Sequence, residues 1–123
     1  MNQSTEVKKF VFPNLNEGEI YVGAIMNKDG SGHHIILLPG DSDSASWKEQ
    51  MEWAESIGGD LPDSVEQAIL YRDFSEHFQK DWYWSNQQRE GGSAWFQDFI
   101  NGNQSWLSTF ITCRARAVRR LPI

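Results

Sequence analysis

The sequence predicts an α+β domain, because strand-like segments lie at both ends of the chain and helix-like segments lie between them. Residues 19–26 and 33–38 are rich in β-branched and aromatic residues, as strands are. Residues 44–80 carry apolar residues at helical spacing behind capping signals. From residue 82 onward, aromatic segments at 82–84 and 95–100 are separated by a polar stretch and indicate strands. This order predicts a mixed fold of antiparallel sheets, with two helices between an N-terminal hairpin and a C-terminal aromatic sheet.

The length of 123 residues allows one domain and is too short for two. We expect residues 1–18 to form a polar segment with a short strand at residues 10–12, and residues 19–123 to form the domain itself. The chain shows no apolar leader and no apolar run of membrane length. We therefore expect it in the cytoplasm where it is made and away from membranes, with virion association left open.

The first two strands are joined by residues 27–32, which are turn formers and predict an antiparallel hairpin. After the hairpin, Asp41 and Asp43 form an Asp-x-Asp pair that invites a calcium site, although the Gly and terminal Glu of an EF-hand loop are missing. We favour a turn that leads to a helix N-cap at Ser44 or Ser46. We expect no metal and no cofactor, and leave calcium at the aspartate pair open.

Two helices are predicted in the middle of the chain. The first begins at Trp47, where apolar residues recur on one face, and ends at Gly58, a glycine suited to a C-cap. The second begins at Ser64, because Ser64 and Gln67 have the spacing of a capping box. It continues or restarts toward Phe78.

The C-terminal third is predicted to be the aromatic sheet and the nucleus of the fold. Residues 82–84 and 95–100 predict strands, with residues 85–93 as a polar loop between them. The Asn-Gly pair at 101–102 predicts a two-residue hairpin turn, since both residue types tolerate positive φ, and residues 104–111 return.

A closing strand is predicted over residues 112–121, because small residues alternate with larger ones. We expect one face to carry the small, buried residues Cys113, Ala115 and Ala117. The opposite face is expected to carry Arg114, Arg116 and Val118.

The charge of the chain is acidic and unevenly distributed. Seventeen acidic and eleven basic residues give a net charge of −6, which argues against direct binding of nucleic acid. Four of the eleven basic residues are the arginines of the closing segment, and we expect them to pair with carboxylates of the same domain. They are Arg114, Arg116, Arg119 and Arg120.

The residues that could carry catalysis form no recognisable motif, so we predict that the protein is not an enzyme. Cys113 is the only cysteine, which excludes an intrachain disulfide. His33 and His34 are neighbours on a strand and face opposite sides, so they cannot chelate one ion from that strand. We expect His77 to be a surface or packing residue.

Four segments carry a family resemblance: Gly-Gly-Asp-Leu-Pro at 58–62, Trp-Tyr-Trp-Ser at 82–85, Ala-Trp-Phe-Gln-Asp-Phe at 94–99 followed by Asn-Gly, and Cys-Arg-Ala-Arg-Ala-Val-Arg-Arg-Leu at 113–121. In this order they resemble the Lcl C-terminal-like family, over about residues 19–122. That family occurs in bacteria and their phages and is related to the C-type-lectin-like fold. The resemblance implies a phage or prophage origin, or a bacterial one, and a C-type-lectin-like scaffold whose surface loops bind a ligand, glycan or receptor.

The sequence departs from several relatives of that family. It lacks the Glu-Pro-Asn, Gln-Pro-Asp and Trp-Asn-Asp tripeptides of sugar-binding C-type lectins, so calcium-dependent sugar recognition is not implied. Formylglycine-generating enzymes share a related fold but use paired cysteines, and this chain has one.

We therefore expect a non-enzymatic binding module that contacts a protein or glycan ligand through residues 85–93 and 101–109. These segments combine adaptable hydrogen-bonding groups with a rigid Trp, as binding loops do. Trp106 is the expected anchor, with a core position as the equal alternative. The predicted binding residues are Asn86, Gln87, Gln88, Arg89, Asn103, Gln104 and Trp106.

A second hypothesis is a small acidic phage-encoded inhibitor that covers a basic, nucleic-acid-binding surface of a host defence protein. It depends on the net charge of −6 and the small size of the chain. Six Trp and seven Phe are many for one small core, so the sequence also leaves a homo-oligomer open.

Overall fold

The structure of the protein is a computed structural model that describes residues 10–123. The polar segment predicted at residues 1–9 lies outside the described residues. The described residues form eight strands and two α-helices: β1 (Ile20–Met26), β2 (Gly32–Leu37), β3 (Ser42–Ala45), α1 (Trp47–Ser56), α2 (Ser64–Phe74), β4 (Trp82–Arg89), β5 (Ser93–Asp98), β6 (Gln104–Ser108), β7 (Cys113–Ala115) and β8 (Val118–Pro122). A single 3₁₀ turn, Ser75–His77, follows α2.

The strands form two sheets. The smaller sheet has the order β1-β2-β8, and it contains the predicted N-terminal hairpin. The larger sheet has the order β3-β7-β4-β5-β6. Its neighbours are antiparallel except β4 and β7, which run parallel with Tyr83 opposite Arg114. The predicted α+β class is confirmed, and the C-terminal aromatic strands lie in one sheet beside the first arginine of the closing segment.

The closing segment is divided between the two sheets, so the prediction of one strand over residues 112–121 is wrong. Between β7 and β8 the Ala117 carbonyl accepts a hydrogen bond from the Leu38 amide at 2.9 Å. Val118 then pairs with Asp60 in an isolated bridge and belongs to the core, with no exposed surface. Local alternation cannot reveal a change of sheet, because β7 and β8 keep the same extended pattern.

No strand forms at residues 10–12, where the sequence predicts a short one. Instead, the aromatic rings of this segment lie edge-on against the β1–β2 hairpin. Phe10 contacts His34 with ring centroids 5.2 Å apart, and Phe12 contacts Tyr21 at 5.1 Å. Aromatic contact with the hairpin replaces backbone pairing here.

Both helices begin at capping boxes, one of which is shifted by a residue from its prediction. Ser46 caps α1 and exchanges hydrogen bonds with Glu49. The α2 cap is Asp63 with Glu66, rather than Ser64 with Gln67. Asp is as good an N-cap as Ser. Gln67 takes no part in the cap, because its side chain donates to the Tyr83 and Trp84 carbonyls.

Strand β4 extends to Arg89, so the predicted polar loop shortens to residues 90–92. Gln88 and Arg89 pair with the start of β5, and Gly91 and Gly92 turn the chain with positive φ. The ladder is interrupted between Trp84 and Gln88. Polar composition alone could not distinguish a solvated strand from a loop, which is why the sequence prediction failed here.

The β5–β6 connection is a longer turn than the predicted Asn-Gly hairpin. Residues 99–103 join the two strands, and only glycines have positive φ within residues 10–123. A type I′ turn needs positive φ at both central residues, so Asn101 excludes it. Gly102 (φ +85°) is required for a second reason, because a Cβ there would approach Tyr71 to 2.6 Å.

The core has two parts. One lies beneath α1 and contains Trp84 and Phe96, and the other lies between α2 and the smaller sheet and contains Tyr83 and Ile35. The predicted small residues Cys113, Ala115 and Ala117 are all buried. Neither helix described between residues 10 and 123 is long and apolar enough to cross a membrane.

Candidate binding surface

Four of the seven predicted binding residues lie on β4, two lie on β6, and Asn103 lies in the turn before β6. Arg89 pairs with Ser93, and Ser93 pairs with Ser108, so the end of β4, the start of β5 and the end of β6 lie side by side. We call this region, marked by Arg89, Ser93 and Ser108, the distal end of the larger sheet.

An arginine and two tryptophans stack near the distal end. The Arg89 guanidinium carbon lies 3.9 Å from the centroid of the Trp106 ring and 5.8 Å from that of Trp95. The two rings pack edge to face at 5.0 Å. We call Arg89, Trp95 and Trp106 the tryptophan–arginine cluster. Such stacking holds a guanidinium over the ring face through cation–π attraction.

Trp106 is partly exposed, which favours the anchor interpretation over a core position. About half of its surface, 47%, faces solvent, although it packs on Trp95. Trp95 was predicted as a core residue and not as a binding residue. The register between β5 and β6 places Trp95 opposite Trp106. Alternation within a single strand does not give that register, so the sequence pattern could not identify Trp95.

Three predicted binding residues instead attach the sheet to the start of α2. Asn86 donates to Asp60 Oδ2 at 2.9 Å, and Gln87 Oε1 accepts from the Ser64 amide at 2.6 Å. Gln104 Nε2 donates to the Ser64 carbonyl at 2.6 Å. These amide groups are already hydrogen-bonded within the domain, so a ligand would have to compete with those bonds for them.

Gln88 and Asn103 take different positions. Gln88 lines a cavity of about 430 Å³ together with Trp47 and Phe110. Asn103 lies in the β5–β6 turn, where its carbonyl accepts from the Asp98 amide at 2.8 Å. The seven predicted residues therefore do not form one patch: Arg89 and Trp106 meet, and Gln88 faces the cavity.

Sequence reasoning missed the apolar wall of that cavity. Phe110 is 89% exposed and is followed by Ile111, which is half exposed. The sequence predicts these residues as the end of a returning strand, but β6 stops at Ser108, and the Thr109 carbonyl accepts a hydrogen bond from the Trp47 amide at 3.1 Å. Two adjacent large apolar residues after a strand are the signal that was available.

The predicted pairing of the closing arginines with carboxylates is confirmed for three of the four. The ion pairs are Arg114 with Asp41 at 3.0 Å, Arg119 with Glu19 at 2.8 Å, and Arg120 with Glu66 at 2.7 Å. Arg116 differs, because it donates to the backbone carbonyls of His77 and Leu38, both at 2.7 Å. Its Nε is buried and has no hydrogen-bond partner among residues 10–123.

The ion pair of Glu66 is the most enclosed. The Glu66 side chain has no exposed surface and also accepts from His33 Nε2 at 2.9 Å. Burial raises the pKa of Glu66, but the hydrogen bonds from Arg120, the Asp63 amide and His33 outweigh burial and leave it below its usual value. This network joins α2 to the smaller sheet, so its position indicates a role in holding the fold together.

The Asp41–Asp43 pair is oriented by an arginine. Arg114 contacts Asp41 Oδ1 at 3.0 Å and Asp43 Oδ1 at 3.2 Å, and the Tyr83 hydroxyl donates to Asp41 Oδ2 at 2.6 Å. Burial and the bond to Asp41 raise the pKa of Tyr83 to about 12. Among the described residues, no group of three or more His, Cys, Asp or Glu is placed to hold a metal ion.

The candidate catalytic groups are separated. Cys113 is buried, and burial raises the pKa of its thiol to about 12, so it stays protonated at neutral pH. His33 is bonded to Glu66, and His34 is bonded to the Tyr21 hydroxyl at 2.8 Å, as expected for neighbours that face opposite sides of a strand.

No family model matches the chain, and no curated protein matches its sequence.

Proposed function

We propose that the protein is a non-enzymatic binding module that recognises a protein or glycan ligand at the distal end of the larger sheet. The observation that carries the proposal is the tryptophan–arginine cluster. It combines a half-exposed Trp106 with a guanidinium held 3.9 Å above its ring. Tryptophan and arginine are the residue types most enriched among binding hot spots, because they offer a large rigid surface and fixed donors.

The cavity beside the cluster supports the same location. Trp47 and Phe110 give it apolar walls, and Gln88 adds an amide. A concave apolar site with a few polar groups is the usual form of a ligand pocket. Phe110 is 89% exposed, so its ring does not belong to the core.

The finer fold assignment belongs to the proposal as well. A hairpin, two helices and an aromatic sheet that is closed by the arginine segment are consistent with a C-type-lectin-like scaffold of the Lcl C-terminal-like kind. A bacterial or phage origin would follow from that kinship.

The test compares two tryptophans of the larger sheet. Trp106→Ala should abolish binding in glycan-array and host-protein binding assays while the protein stays folded. Trp82→Ala is the matched control, because Trp82 is 39% exposed in the same sheet but stacks on Phe96, at the other end of β4. Equal binding by both variants, or loss of folding in Trp106→Ala without a folded binding-deficient form, would contradict the proposal.

The acidic-inhibitor hypothesis has one supporting observation. Because three of the four closing arginines are neutralised within the domain, the acidic excess of the sequence is not offset by a basic patch at that segment. Binding to a basic host protein that weakens steeply with salt and ignores Trp106→Ala would favour it over the binding module.

A further inference from the structure

We propose that the outer edge of β6 binds an extended acidic peptide segment of a partner protein by strand addition, with a peptide carboxylate held by Arg89. This inference rests on the proposed function, and it names the partner class of that site.

The first step concerns Arg89, which differs from the other arginines. Six arginines lie within residues 10–123, and five of them donate hydrogen bonds to carboxylates or carbonyls. Among these described residues Arg89 has no hydrogen-bonded partner, although stacking on Trp106 fixes its position. Because a guanidinium donates in its own plane, stacking on a face leaves the in-plane donors free for a bidentate carboxylate.

The second step concerns the backbone of β6, which is the terminal strand of the larger sheet. The Asp98 amide donates to the Asn103 carbonyl, and the Thr109 amide donates to the Gly92 carbonyl. In an antiparallel ladder such pairs alternate with non-bonded pairs, so the pair Trp95–Trp106 is non-bonded. The N–H and C=O of Trp106 therefore point away from β5, toward the open edge.

The third step joins these two observations. A strand added to this edge would run about 4.8 Å from β6, and its residue opposite Trp106 would place its side chain on the same face as the Trp106 ring. Arg89 reaches that face from β4, across β5. An Asp or Glu at that peptide position would meet the free donors of Arg89.

Charge distinguishes this partner from a second copy of the chain. Symmetric pairing of two β6 strands about Trp106 would bring two Arg89 guanidinium groups over the same pair of rings, and like charges there repel. Strand β6 itself, Gln-Ser-Trp-Leu-Ser, supplies no carboxylate to offset them. A peptide that carries a carboxylate avoids this repulsion and accepts hydrogen bonds from the Arg89 N–H groups.

The experiment selects binders from a display library of linear nine-residue peptides on the full chain. Wild-type protein should enrich Asp or Glu at one position, with β-formers around it. Arg89→Glu should enrich Lys or Arg at that position, and Arg89→Lys should retain the acidic preference. An unchanged or non-acidic consensus with Arg89→Glu overturns the inference. Because Arg89 is exposed, we expect the variants to keep the wild-type melting temperature.

A second measurement tests strand pairing itself. The synthetic consensus peptide is N-methylated at each amide in turn, and its affinity is measured. We expect about tenfold weaker binding at every second amide and little change at the others, because alternate amides of an added strand face β6. Uniform tolerance of N-methylation overturns the inference.

Other outcomes separate this inference from the proposed function. Glycan binding that depends on Trp106, without any peptide binding, overturns the inference and leaves the proposed function in place. No Trp106-dependent binder of either kind defeats both. A dimer in sedimentation that dissociates on peptide addition would show that a second copy of the chain pairs with the edge of β6. That result overturns the inference that the edge binds a different protein.

Discussion

The two outer strands of the larger sheet, β3 and β6, are protected in opposite ways. At β3, Asp43 is exposed and paired with Arg114, and its backbone carbonyl accepts from the buried Gln50 side chain at 2.7 Å. At β6 the strand carries no charged residue, and the backbone groups of Trp106 face outward. Charge and coverage are the usual means of protecting an edge from pairing with other chains.

The difference indicates which edge is available for recognition. Helix α1 covers β3 through Gln50, which also donates to the Cys113 carbonyl at 2.9 Å. Helix α2 contacts β6 at its first residue, where Gln104 donates to the Ser64 carbonyl. An edge that no described strand pairs with, beside a stacked arginine, is suited to a partner, whereas the covered edge stabilises the domain.

The largest expected effect is at the covered edge. Gln50→Ala removes the donor to two carbonyls and leaves a cavity at a residue that is 1% exposed. We expect the free energy of unfolding to fall by about 2–4 kcal/mol, measured by urea denaturation. Gln104→Ala is the matched control at β6 and should cost less than about 1 kcal/mol, because Gln104 is exposed. Equal losses would remove the distinction between the two edges.

The next effect concerns two arginines near these edges, Arg114 on β7 beside β3 and Arg89 on β4, which reaches Trp106 of β6. Arg114→Leu leaves Asp41 without its cation and should lower the free energy of unfolding by about 1–2 kcal/mol. Arg89→Leu, at an exposed residue that pairs with no carboxylate of residues 10–123, should change it by less than about 0.5 kcal/mol while weakening ligand binding. Calorimetry on both variants checks this, and a larger loss for Arg89→Leu would assign that residue to stability instead.

A third edge, that of β1 in the smaller sheet, is expected to affect stability at low pH. The hydrogen bond from Arg119 holds the pKa of Glu19 at about 2, below its usual 4.5. A lowered carboxyl pKa stabilises the fold fully above about pH 4.5, and that stabilisation is lost as the pH falls through about 2. We expect about 1 kcal/mol from this pair after screening by solvent.

The measurement for Glu19 is the unfolding free energy against pH, with Glu19→Gln as the comparison. The variant should lose part of the acid dependence between pH 4.5 and 2. Parallel curves for the two proteins would show that the ion pair contributes nothing measurable.

The smallest effect leaves stability unchanged and tests the direction of the β6 backbone. The Trp106 amide should exchange its hydrogen at least about tenfold faster than the amides of Ser105 and Leu107, which face β5. Nuclear magnetic resonance exchange measures this directly, and the selected acidic peptide should slow the Trp106 amide without changing those of Ser105 and Leu107. Equal protection of the three amides in the free protein would place the open edge elsewhere.

The sequence predicted the elements well where side-chain pattern and local chemistry agree. Turn formers at residues 27–32 and the Ser46 cap were sufficient for the hairpin and for the start of α1. It failed where long-range pairing decides the outcome. The extension of β4 to Arg89 depends on its ladder with β5, and the division of the closing segment depends on which sheet accepts each half.

The candidate site was predicted in part, for the same reason. Arg89 and Trp106 were identified from their residue types, and the structure brings them within 3.9 Å. Gln87 and Gln104 look identical to ligand-binding amides in the sequence, yet they hold the start of α2. Whether an amide is free depends on what folds against it.

The amino-acid sequence by itself determined the α+β class, the two helices, the buried small residues of the closing segment and the pairing of three of its four arginines with carboxylates. Those properties follow from periodicity, caps and charge, which act over a few residues or through composition. Among residues 10–123, only the tertiary structure decided which arginine remained without a hydrogen-bond partner and which strand remained at an open edge. Both depend on partners far apart in the chain, because a donor is free or filled according to what lies within about 3 Å of it.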